Sequence, residues 1–197
     1  IIIELAGAGD LVNAPHVQVT LFRGRDALLF DATGKQVVPG GSQRIDTRWG
    51  ARFIRQLNGS ITAGVLTTEP ADISYPWGPF DLPTDEYMHA ARLHLKLTPT
   101  HAEGLIAGFS DIDSWYLQMM RSWSTHHQNY GQTSAPALYR ALRRLADAYP
   151  DAATGANTAI SSALSAEFTQ VVIVPSSRPD PATLAGRSPA GPYRSPR

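Results

Sequence analysis

"ARLHLKLTPTHAEGLIAGF", residues 91–109, decides the fold class. Leu93, Leu95 and Leu97 alternate with Arg92, His94 and Lys96, the period-two pattern of a strand with one face buried and one in water. "TPTHAEG" is a turn-bearing connection, and "GLIAGF" continues as the second arm of a hairpin. An antiparallel pair therefore lies at the centre of the chain.

Working toward the N-terminus, "HVQVTLF" (16–22) and "ALLF" (27–30) are short strand candidates separated by "RGRD". "DATGK" and "VPGGS" are turns, with Gly34, Gly40 and Gly41 available for positive φ. "ARFIRQL" and "SITAGVLTT" flank Asn58-Gly59, the preferred pair for a tight hairpin turn, so a second hairpin is expected there. "IIIELAGAGD" at the start resembles a strand entering a dinucleotide loop. Val12 stands where the third glycine belongs and no helical pattern follows, so that reading is rejected.

Toward the C-terminus the texture changes at Ser110. Ile112, Tyr116, Met119 and Trp123 recur at helical spacing, with Ser110 or Asp111 as cap, which predicts a helix over 111–127. A second helix is expected over 135–149, capped by Ser134, with Leu138, Tyr139, Leu142 and Leu145 on its apolar stripe and Pro150 as its stop. "DAATGAN" is a loop, "TAISSALSAEF" is weakly helical, and "TQVVIV" is a short buried strand. The expected fold is α+β: an antiparallel β-sandwich or partly open β-barrel over 1–109, covered by two or three C-terminal helices. A final short strand closes a single domain over 1–174. Residues 175–197 hold six prolines, four arginines and one aspartate, an extended tail too poor in apolar residues to fold alone. Any order it has must come from its own domain or from a neighbouring subunit.

Composition excludes several function classes. Lys+Arg and Asp+Glu are both 17, and a net charge of zero argues against a nucleic-acid binder, whose affinity needs an excess of cations. There is no cysteine, which removes disulfide scaffolds, thiolate zinc sites and cysteine nucleophiles. Its absence is compatible with bacterial export, and a periplasmic or secreted location is expected. No run approaches the ~18 apolar residues of a membrane span, so the visible chain is expected to be soluble. The first residue is Ile, so a processed or incomplete start is expected. GxxxxGK[ST], GxSxG and HExxH frames are all missing.

The polar residues that remain have structural explanations beside functional ones. Within one helix Asp113 and His126 would lie roughly 20 Å apart along the axis, too far to share a metal. Asp111 and Asp113 suit a helix N-terminus, and His126 and His127 suit a C-terminus. A hydrolase reading would use His126 or His127 as base with Asp111 brought close by a break in the helix. His94 and His101 flank the central hairpin, and His89 or Glu103 would be needed to complete a metal site. Asp147, Asp151 and Asn157 offer oxygen ligands at spacing that does not follow an EF-hand, and Asx turns explain them economically. Arg140, Arg143 and Arg144 form a solvated helix face or a docking strip for an acidic partner.

"ISYPWGPFDLP" (73–83) packs Tyr75, Trp77 and Phe80 among prolines. Exposed, it would be a stiff aromatic anchor for a partner; buried, a lid over the end of the β core. With Arg178, Arg187, Tyr193 and Arg194 of the tail, these residues form the expected partner-binding set. The preferred functional expectation is a non-catalytic accessory subunit of a larger bacterial assembly, bound to other protein subunits, without cofactor or metal. A metal- or His-dependent hydrolase and a small apolar-ligand carrier are the alternatives.

Overall fold

The computed structural model describes residues 1–76, 85–121 and 135–179. Along the chain these form β1 (Ile2–Ala6), β2 (Ala14–Phe22), β3 (Gly41–Gln43), β4 (Arg55–Thr62), β5 (Val65–Thr68), β6 (Ala71–Pro76), β7 (Asp85–Leu97) and β8 (His101–Asp111). Then come α1 (Ile112–Arg121), α2 (Ala135–Leu145), β9 (Ala148–Pro150), β10 (Asn157–Thr169) and β11 (Val171–Ile173). The fold is α+β, dominated by one antiparallel sheet that does not close into a barrel.

Strand order in that sheet is β1-β2-β4-β5-β7-β8-β10-β9, with β6 also paired to β7. β5 and β6 share one edge of β7: Val65–Thr67 face Lys96–His94, and Ala71–Pro76 face Ala91–Asp85. The hairpin expected from residues 91–109 is present, with Leu93 opposite Ile106 and Leu95 opposite Gly104. As the alternation requires, Leu93 and Leu95 are buried in the core, while Arg92, His94 and Lys96 are exposed. One cluster, including Val19, Leu57, Leu66, Ile73, Met88 and Leu93, fills the concave side. At a core of this kind roughly 1.5–3 kcal/mol accompanies each fully buried aliphatic side chain.

Two glycines of β8 explain how tightly this centre is packed. A Cβ on Gly108 would lie 2.7 Å from the His89 carbonyl oxygen, and one on Gly104 would lie 2.1 Å from that of His94. Both positions admit only hydrogen where the neighbouring backbone approaches.

Several expectations are corrected. Asn58-Gly59 is not a turn: β4 runs straight through it, and the turn lies at Ala63-Gly64, with φ of 49° and 79°. Gly59 is needed for close approach instead, since a Cβ there would meet the Thr67 carbonyl oxygen at 2.8 Å. "ALLF" (27–30) is not a sheet strand. The edge it would have taken on β2 is occupied by β1, and only an isolated bridge joins Phe30 to Val37. "TAISSALSAEF" is not helical but the body of β10, paired with β8 along its length from Ala159–Asp111 to Thr169–His101. The second helix stops at Leu145, because Ala148–Pro150 pair with the start of β10 instead of continuing the turn. "TQVVIV" contains β11, which pairs in parallel with β3. No helix among the described residues is long and apolar enough to cross a membrane.

Candidate functional site

The sheet's two ends approach one another around a shared cavity of about 1030 Å³. One wall is β1, with Ile3 and Leu5; the opposite wall is β10, with Leu164, Ala166 and Phe168. Leu66, Leu95 and Ile106 of the central strands form the floor. The inward residues of β10 are only partly buried, although they belong to the same apolar cluster as the sealed centre. Small side chains leave this space. Ala102 and Ala166 stand in the lining where bulkier residues would fill it.

Polar groups collect at one part of the rim: Glu4, Arg23, Asp26, Gln43 and Arg178. Arg178 donates from its two terminal guanidinium nitrogens, Nη1 and Nη2, to the two Glu4 oxygens, at 3.0 and 2.5 Å. This pair ties the segment after β11 to β1 across the gap in the sheet. Arg23 lies 3.3 Å from Asp46, and both side chains are almost wholly buried. The Asp46 carboxyl is held below the usual carboxylate range chiefly by its hydrogen bond from Arg48, with Arg23 adding a smaller attraction. A second small core, Ile2, Phe22 and Ile45, packs with Val171 and Ile173 and fixes the strap that carries Arg178.

A buried polar group lies beside the cavity, whose lining includes Tyr75. The Ser110 hydroxyl donates to Glu86 at 2.7 Å, and the Tyr75 hydroxyl lies beside the same carboxyl. Burial pushes Glu86 above the usual glutamate range, with the Ser110 and Tyr75 hydrogen bonds opposing it. Burial, reinforced by the Glu86 charge, also raises the Tyr75 hydroxyl.

The convex face holds a cluster that the sequence did not reveal. His89 lies between two carboxylates, with Nδ1 3.7 Å from Asp72 and Nε2 3.8 Å from Asp111. The Tyr87 hydroxyl donates to Asp72 at 2.9 Å, and Tyr149 stacks on the imidazole with centroids 4.3 Å apart. Burial alone would raise Asp72; the Ala90 N–H, the Tyr87 hydroxyl and His89 outweigh it and hold the carboxyl low. The His89–carboxylate distances exceed hydrogen-bonding range, and the stacked tyrosine covers the ring. The arrangement joins β6, β7, β8 and β9, and it works as a clasp between strands. A bulge at Ala90, with φ of 46°, shifts His89 out of the strict alternation, and no pattern in the sequence marks it.

The sequence-predicted residues divide sharply. Asp111 caps α1 by accepting the Ser114 N–H at 2.8 Å and neighbours His89. Asp113, in the first turn, accepts from the Tyr139 hydroxyl at 2.8 Å. Tyr75 is 4% exposed, so it is covered and cannot serve as a surface anchor; it was expected in the partner-binding set, and the pairing of β6 with β7 is what buries it. Arg178 engages Glu4 of its own chain. Trp77, Phe80, His126, His127, Arg187, Tyr193 and Arg194 lie outside the described residues. His94 and His101 do not converge: one contacts Thr67 and the other Thr100. Asp151 accepts from the Ala153 and Thr154 amides, the Asx turn expected of that loop. Among the described residues no group of three or more His, Asp or Glu side chains is placed to hold a metal ion. Comparison with protein families, with curated proteins and with solved structures finds no match to this chain.

Proposed function

We propose that the protein binds one small, mostly apolar molecule inside its open sheet and acts as a carrier. A single observation supports this most: partly buried apolar residues of β1 and β10 face each other across about 1030 Å³ instead of packing together. That volume lies at the upper end of the few hundred to ~1,000 Å³ typical of small-molecule sites. Closed barrels of eight strands have interiors of the right width for one small ligand; this sheet stays open, and the comparable space lies between β1 and β10. The polar rim around Glu4, Gln43 and Arg178 would hold the polar end of an amphiphile, leaving its chain against Leu164, Ala166 and Phe168. Each buried methylene would contribute about 0.8 kcal/mol, so a chain of several carbons gives useful affinity without a strong polar contact.

The test is a fluorescence titration with an environment-sensitive naphthylamine dye, followed by displacement with a long-chain fatty acid. Saturable dye binding, displaced by the fatty acid and lost in Ala166→Trp, is the expected result. A dye that does not bind, or that binds Ala166→Trp equally well, would overturn the reading. The accessory-subunit reading rests on Trp77, Phe80 and the tail, which apart from residues 175–179 lie outside the described residues, and it would be favoured by a stable complex that survives substitution of cavity residues.

A further inference from the structure

At the polar part of the rim, residues 27–38 project as a narrow ribbon. Leu28, Leu29 and Phe30 are 52%, 59% and 49% exposed, and none of them belongs to a core cluster. Three consecutive large apolar residues held in water at one spot have an energetic cost that isolated surface leucines do not. We propose that this ribbon docks on an anionic lipid surface, from which the adjoining cavity takes up or releases its ligand; this rests on the carrier reading.

Four observations favour lipid over a protein surface. First, Leu28 and Val37 line the cavity as well as the ribbon, so the exposed apolar patch is continuous with the binding space. Second, Leu28, Leu29 and Phe30 are consecutive and each is about half exposed, so the apolar surface runs along the ribbon and is not one isolated side chain. Fluid hydrocarbon can cover such a strip whatever its outline. Third, the ribbon already satisfies much of its own backbone. The Val38 N–H donates to the Leu29 carbonyl, Asp31 N–H to Gln36 and Gly34 N–H to Asp31, at 2.8–2.9 Å. Backbone groups paired in this way can enter an apolar medium without losing partners.

Fourth, the free charge on the ribbon is positive. Asp26 is paired with Arg44, while Asp31 accepts from Thr33 and the Lys35 and Gln36 amides and keeps its negative charge, so Arg25 and Lys35 less Asp31 leave a net +1. Arg25 at its base and Lys35 in its turn are exposed, with no ion-pair partner for either among the described residues. Apolar side chains beside unpaired cations are the usual combination for interfacial binding to anionic lipid.

Co-sedimentation of the full chain with phosphatidylcholine vesicles, with and without phosphatidylglycerol, tests this in the absence of any cavity ligand. Binding to the anionic vesicles that weakens with salt is expected. Leu29→Asp with Phe30→Asp should lower the partition about tenfold or more. Arg25→Gln with Lys35→Gln should lower it about fivefold per charge, and serves as a second variant if the aspartates disturb folding. Ala166→Trp should keep vesicle binding while losing the dye, which separates this inference from the carrier reading. A chain with no affinity for either vesicle, or variants that bind as well as the parent, would overturn it. So would a chain that dimerises in solution and becomes monomeric on Leu29→Asp with Phe30→Asp, since the ribbon's partner would then be a second copy.

Discussion

β7 and β10 are both thirteen-residue strands of one sheet, separated only by β8. Their concave faces differ. Along β7 the inward residues Met88, Ala91, Leu93 and Leu95 are fully buried, whereas on β10 Leu164, Ala166 and Phe168 remain half open. β7 lies in the middle, flanked by β5 and β6 on one edge and β8 on the other, and the concave side above it is filled. β10 has only the short β9 beyond it, and across from it stands the other end of the sheet with a gap between. Packing is completed where the sheet is continuous and withheld where it is open. The incomplete face is where a ligand would complete it.

The contrast can be broken by mutation. Leu93→Ala, fully buried and outside the cavity lining, should cost about 3 kcal/mol in chemical denaturation, because a closed core cannot collapse fully around the hole. Leu164→Ala, removing the same atoms from the cavity wall, should cost about 1 kcal/mol or less. Equal losses would mean the cavity wall is as tightly packed as the centre.

Gly104→Ala probes β8, the strand between them. Its φ of 155° and the 2.1 Å approach to the His94 carbonyl leave no room for a methyl group. A loss of about 2 kcal/mol or more is expected. Gly34→Ala in the exposed ribbon, where φ is 70° and nothing stands within 4 Å, should cost only about 1 kcal/mol from backbone strain. If the two substitutions cost the same, the close approach in the sheet is not what requires the glycine.

A smaller effect belongs to pH. Glu86 has a raised folded-state pKa, so the folded chain holds its proton more tightly than the unfolded chain. Stability should fall as pH rises from the ordinary glutamate range through the raised one, and level off above it. Asp72 and Asp46 act in the opposite direction. Their lowered values stabilise the fold above the ordinary aspartate range, and that stability is lost on acidification. Glu86→Gln should flatten the first slope and leave the acid limb in place. Denaturation midpoints across pH for the two proteins check this; an unchanged slope would show that Glu86 does not carry it. The smallest change is expected from His89→Ala, about 1 kcal/mol, since the clasp is made by stacking and by carboxylates beyond hydrogen-bond range.

The same two strands show how much the sequence discloses. β7 was legible because Leu alternates with Arg, His and Lys, so burial and charge change together at every step. β10 was not, because Ala, Leu and Glu suit a helix and its outward side carries Ser161, Ala163 and Ser165, with Glu167 as the one charge to mark the period. Pairing with β8 along eleven residues overrides that weak preference. The cap at Asp111 was readable, being local. The cavity was not. It depends on β1 and β10 meeting across more than 150 residues of chain, and on small residues such as Ala166 that announce nothing by themselves. His89, Asp72 and Asp111 likewise come from three strands, brought together by a bulge that no local pattern marks.

Hydrogen exchange with and without a bound long-chain fatty acid tests the difference between the strands most directly. If the half-open face is a binding surface, amides of β1 and β10 should slow on ligand addition while those of residues 88–93 in β7, outside the cavity lining, stay unchanged. Protection confined to the convex face around His89, or no change anywhere at saturating ligand, would contradict the assignment of the cavity.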